Sequence, residues 1–309
     1  MNWSIRLAFA CALSVFVGCA SPRRDAAPVG DAELVRLTST ARAAFDRGSL
    51  SLAGKLYEQA LIHARALDDA TNIGNAAYNA AACHIALGEY EPARELLREA
   101  ETELARAKAN LADVFLLQAK LAHWQARRDD ALRFATQLLS DPGSTPAPVH
   151  RAEAALLKGQ LACDDRDVAR ARSALDEAMQ QTKAAKDNAL RAGCEKLSGA
   201  IFLLEKQPAA AAEAFDREAA LCQQARQPRS MLLALCRAGD AWRDAGQTAT
   251  AAERFFRAAR SSFAQGYQTE AVKSVELSLS LATQAQDDGL TQRVRQLQAE
   301  IRKSSPLPP

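Results

Sequence analysis

GSLSLAGKLYEQA at 48–60 returns forty residues later as GEYEPARELLREA at 88–100 and again as GQTATAAERFFRA at 246–258. Weaker copies start at Ala126, Arg166 and Lys206, so the anchors run 48, 88, 126, 166, 206 and 246. An alanine follows five residues after every anchor: Ala53, Ala93, Ala131, Ala171, Ala211 and Ala251. Four further on stand Tyr57, Leu97, Ala135, Leu175, Phe215 and Phe255. Seven before each anchor stand Ala41, Ala81, Ala119, Gly159, Gly199 and Gly239. Small residues recurring against large ones are what closely packed helices require. Within 53–64, Ala53, Leu56, Tyr57, Ala60, Leu61 and Ala64 mark one face of a helix. A unit this short cannot bury its own apolar face, so stacking on neighbours must supply the core.

These anchors and small-residue positions resemble the tetratricopeptide repeat, a helix-turn-helix unit. The resemblance covers 33–265 as six units, with a degenerate seventh pair behind them. It implies an all-α, right-handed solenoid of six to seven units with a period near 40. The period exceeds the family's 34, and its early Trp and closing Pro are mostly missing. The last helix should act as a cap, with Leu290, Val294, Leu297 and Ile301 on one stripe and polar residues elsewhere. SDPGSTPAPV at 140–149 holds three prolines, which end a helix. It reads as a longer loop after a shortened helix, with a flexible joint as the alternative.

Composition narrows the function. The 309 residues carry 39 Lys+Arg and 37 Asp+Glu, a net charge of +2, with no electrostatic case for nucleic acid. Apolar residues are 48%, ordinary for a globular chain.

The N-terminus, MNWSIRLAFACALSVFVGCAS, has one early charge, Arg6, and an apolar run from Leu7 to Val17. That run is too short to span a bilayer and fits a secretory signal. Phe16-Val17-Gly18-Cys19 resembles the lipobox of bacterial lipoproteins, where the Cys becomes an acylated N-terminus. An ordinary signal cut near Ala20, or an uncleaved anchor, is the alternative. The expected layout is a signal peptide at 1–18, lipidated Cys19 and tether at 19–30, the repeats at 31–303 and a disordered tail at 304–309. Ala20 after the Cys points to the outer membrane, with the repeats facing the periplasm and surface exposure left open.

No phosphate loop, GxSxG, HExxH or CxxC occurs. His63, His84, His123 and His150 do not share ligand spacing. The chain therefore reads as non-catalytic, without cofactor or metal. Five cysteines follow Cys19: Cys83, Cys163, Cys194, Cys222 and Cys236. Cys222 and Cys236 sit close enough in sequence to join, but small buried core residues are the preferred reading.

In the family, the first helices of each unit line a concave groove for an extended peptide or a partner's helix. That face maps onto Arg42, Phe45, Tyr78, Asn79, Lys120, His123, Trp124, Gln160, Lys196, Asp240 and Arg243. Asn79 stands where longer-repeat relatives carry an Asn that contacts a peptide backbone. Aromatics to anchor and cations to steer suit a partner with apolar and acidic groups. The expected role is an envelope adaptor or scaffold. The alternatives are a regulator of a peptidoglycan enzyme and a binder of glycan or another small ligand.

Overall fold

The computed structural model describes residues 31–185 and 187–304. The signal segment, Cys19 with its tether, and the tail from 305 lie outside the described residues. The described chain is all α-helical, in two compact units that divide between Leu157 and Lys158.

The first unit contains α1 (Ala32–Asp46), α2 (Leu50–Ala66), α3 (Ala70–Leu87), α4 (Tyr90–Arg106), α5 (Ala112–Trp124), α6 (Arg128–Ser140) and the start of α7 (Pro148–Asp164). The second contains the rest of α7, α8 (Val168–Ala185), α9 (Asn188–Leu204), α10 (Pro208–Gln224), α11 (Pro228–Asp244), α12 (Thr248–Ala264), α13 (Gln268–Gln284) and α14 (Asp288–Ser304). No described helix is long and apolar enough to cross a membrane.

The turns explain the period. After α3, Gly88 N–H bonds Ile85 C=O at 3.0 Å and Glu89 N–H bonds His84 C=O at 2.8 Å. This is the Schellman pattern, which needs a left-handed residue just past the helix. The same pair of bonds closes α1, with Gly48 N–H on Phe45 C=O and Ser49 N–H on Ala44 C=O. It closes α9 through Lys206 and Gln207, and α12 through Gly266 and Tyr267. Left-handed residues stand at 48, 68, 88 and 108, at 126 and 166, and again at 206, 226, 246, 266 and 286. The structural module is therefore one helix plus one tight turn in twenty residues, and two modules make the forty-residue repeat.

Several of these positions are not glycine: Asp68, Lys108, Ala126, Arg166, Lys206, Arg226 and Gln286. A side chain there strains the backbone by about 1–2 kcal/mol. Lys206→Gly and Arg226→Gly should each stabilise the second unit by roughly 1 kcal/mol. Chemical denaturation would show it as a raised midpoint with an unchanged slope, and an unchanged midpoint would contradict it.

The core follows the small and large positions. Gly199 lies under the Phe215 ring and Gly239 under Phe255; a Cβ on Gly199 would meet Phe215 at 2.4 Å. Where the large residue is only Leu97, the small partner is Ala81, and both are fully buried. Internal helix α12 buries Ala251, Ala252, Phe255, Phe256, Ala258, Ala259 and Ser262, which spans two faces. Terminal α14 buries Leu290, Thr291, Val294, Leu297 and Ile301 on one stripe, as a cap requires.

The proline-rich segment is an ordered strap. Leu111 N–H bonds Gly143 C=O at 3.1 Å. The Asn110 carboxamide accepts from Thr145 N–H at 3.0 Å and donates to Thr145 C=O at 3.1 Å. Ser144 Oγ donates to Leu138 C=O at 2.6 Å.

Candidate functional site

The expected groove residues fall on odd-numbered helices, in recurring registers. Arg42, Lys120, Gln160 and Asp240 stand six before their anchors, and Phe45, His123 and Arg243 stand three before. Tyr78 and Lys196 share the position ten before. Asn79 follows one later.

In the first unit, Arg42 and His123 are half-buried on α1 and α5. Phe45 packs on the cluster of Ala41, Ala44, Tyr57 and Cys83. Trp124 packs half-buried on the main core of the unit. Tyr78 lies within that core at 4% exposure, which leaves it little surface to offer. Lys120 is held by Glu153 at 2.9 Å, with both side chains largely buried.

Asn79 is different in kind. It is 2% exposed, and neither its amide nitrogen nor its amide oxygen has a hydrogen-bond partner. Its register carries leucine at Leu117, Leu157, Leu197 and Leu277. A buried donor or acceptor without a partner costs about 1–3 kcal/mol, and leucine would cost nothing of the kind.

In the second unit, Gln160 reaches Asp164 at 3.4 Å, and Arg243 pairs with Asp240 at 2.8 Å and Asp244 at 3.6 Å on the α11 surface. Lys196 is part-buried on α9. Desolvation pulls its ammonium below the usual range; Arg237 adds to this, and Glu218 opposes it. Arg237 donates to Glu218 at 2.5 Å, and its guanidinium lies 5.6 Å from the Phe215 ring centre.

Glu218 and Arg237 are absent from the residues expected from sequence, yet a signal was there. The Glu218 register is filled elsewhere by Ala60, Ala100, Leu138, Ala178 and Ala258, all fully buried. Arg237 stands in the leucine register of Asn79. The departures from these two apolar registers mark the polar cluster better than the groove projection does.

Among the described residues, Cys222 and Cys236 are not joined in a disulfide, nor are Cys83, Cys163 and Cys194. Burial pushes Cys83 up to about 12, and Cys163, Cys194 and Cys222 up to about 11, which keeps them protonated and unreactive.

No protein-family model and no curated protein matches the chain. Solved structures do match. The sensor-bearing STAND protein from Pyrococcus horikoshii, described as having a tetratricopeptide repeat sensor, aligns over 84% of this chain with a TM-score of 0.58 at 16% identity.

The fold is that of tetratricopeptide repeat proteins.

The chain spans 44% of that STAND protein. The apo form of RapI aligns over 89% of this chain and 77% of its own, with a TM-score of 0.63 at 8% identity. A Rap protein complexed with Competence and Sporulation Factor aligns over 88% of this chain and 78% of its own, with a TM-score of 0.56 at 13% identity. Identities this low carry the tetratricopeptide architecture and no more.

Proposed function

We propose that this chain is a non-catalytic adaptor of the bacterial cell envelope, anchored to the outer membrane through acylated Cys19. In this reading its repeats bind a peptide or helix of an envelope protein. The observation that carries the binding role is Asn79. A buried carboxamide with both ends unsatisfied persists in a register where four other repeats place leucine. A peptide backbone supplies one donor and one acceptor, which is the complement of that carboxamide. Access requires the side chains covering Asn79 to move aside, an induced-fit step. Half-buried Trp124 and His123 on α5 add an apolar and a polar side chain to the same unit. In the second unit, Lys196 and Arg237 suit an acidic group on the partner. A Rap protein of the same fold was solved complexed with Competence and Sporulation Factor, an instance of this architecture engaging a partner.

The anchor rests on the N-terminal pattern ending in Cys19. Several acyl chains bind a bilayer nearly irreversibly, because each buried CH₂ contributes about 0.8 kcal/mol. The described helices offer no spanning segment of their own.

The test is capture from detergent-solubilised envelopes with the native chain, Asn79→Leu and Cys19→Ser. Asn79→Leu keeps the shape and removes the unsatisfied amide. Its stability should stay level or rise by up to about 1–2 kcal/mol, while the captured partner is lost. Retention of the partner by a folded Asn79→Leu chain would sink the binding role. Cys19→Ser should move the chain into the soluble fraction, and a chain still in the membrane would remove the lipid anchor.

A further inference from the structure

His150 uses its two ring nitrogens for opposite jobs. It is the third residue of α7, and Ala147 is the residue before the helix, since Arg151 N–H bonds Ala147 C=O at 3.1 Å. Ala147 N–H donates to His150 Nδ1 at 3.0 Å. Nδ1 is therefore an acceptor and carries no proton. Nε2 then carries the proton and donates it to Asp113 Oδ1 on α5 at 2.9 Å. An imidazole here performs the back-reach that Glu or Gln performs in a capping box.

We propose that His150 is a proton-operated latch on the 141–147 strap. The ring accepts a second proton only on Nδ1, the atom that holds Ala147. An imidazolium donates from both nitrogens and accepts from neither. Protonation thus releases Ala147 N–H while the bond to Asp113 persists and gains charge. It also places a cation in the first turn of α7, where the helix dipole disfavours one. The strap loses its hold at its C-terminal end and keeps its ties to Asn110 and Leu111 at the other.

The charged neighbours leave this logic intact. On α5, Asp113 receives the ring's Nε2–H, and Lys120 is engaged by Glu153. On α7 itself stand Arg151, which is exposed, and Glu153. In the strap, Asp141 accepts from Gly143 N–H at 2.8 Å.

The strap lies over Leu111, a buried residue at the entrance to α5. Helix α5 also carries Lys120, His123 and Trp124. Acidification therefore frees the strap just before α7 and leaves its ties to Asn110 and Leu111, ahead of α5, in place. His84 has the opposite demand: Nε2 meets Glu58 at 2.8 Å and Nδ1 meets Glu89 at 2.6 Å, and only the imidazolium donates to both.

The test is amide exchange and ¹⁵N chemical shifts on the full chain between about pH 7.5 and pH 5, the range in which histidine changes charge. At the upper value the His150 ring should show the Nε2–H tautomer. At the lower value the Ala147 amide should lose protection roughly fivefold or more after correction for intrinsic exchange. The Thr145 amide, held by Asn110, should keep its protection. In His150→Gln, the carboxamide oxygen accepts from Ala147 and the NH₂ donates to Asp113 at every pH, so Ala147 should stay protected throughout. Unchanged protection in the native chain would overturn the latch. So would an equal loss in His150→Gln, or a loss spread through Leu117 and the core.

Discussion

Glu218→Ala should destabilise the second unit by about 3 kcal/mol, although alanine is what most other repeats carry at that register. The side chain of Glu218 is 4% exposed and receives the Arg237 guanidinium at 2.5 Å. Removing the acid leaves Arg237 and Lys196 close together with less counter-charge, and breaking a part-buried ion pair from one side is the costly way to lose it. The combined variant Glu218→Ala, Arg237→Leu, Lys196→Leu restores residues that neighbouring repeats use at the three registers. It should recover most of that loss or exceed native stability, because apolar replacement of a whole buried ionic group is often neutral or stabilising. Denaturant unfolding of the native chain, Glu218→Ala and the combined variant decides it. A combined variant that is less stable than Glu218→Ala would show that the ionic group itself holds the helices together. A stable combined variant that no longer captures a partner would place the group in recognition.

Phe215→Ala should have a comparable or larger effect, about 3–5 kcal/mol, because the ring is 2% exposed and fills the space over Gly199. The reverse change is informative too. Gly199→Ala brings a methyl to 2.4 Å from the ring and should cost about 1–3 kcal/mol by overpacking. Adding Phe215→Leu to Gly199→Ala reproduces the Ala81 and Leu97 combination of an earlier repeat. It should recover at least half of the Gly199→Ala loss. Strict additivity of the two single changes would disprove the idea that small and large residues are matched pair by pair.

Much of the fold was legible in the chain because its causes are local. The amphipathic stripe of α14 predicts the buried set Leu290, Val294, Leu297 and Ile301, and that set is buried. The small residues at 159, 199 and 239 predict close approach, and each glycine lies against a large side chain. The site was less legible. Projecting one helix face places Tyr78 and Lys196 together, since they share a register, yet Tyr78 is core and Lys196 belongs to a part-buried ionic group. Glu218 escaped notice because it lies on the second helix of its unit, outside the projected face. Asn110, Asp113 and His150 are ordinary surface residue types in sequence. Only folding brings Asn110 onto Thr145 and Asp113 onto His150.

The sequence by itself determined where helices begin and end and how often the pattern returns. A left-handed turn residue and an apolar stripe act over a few residues, so they need no distant partner. The tertiary structure decided which side chains are buried, which charges are paired and which histidine nitrogen carries the proton. Those properties depend on groups some twenty to forty residues apart in the chain, such as Glu218 with Arg237 and Asp113 with His150. Burial and hydrogen bonding there are set by the neighbouring helices, which no single repeat encodes alone.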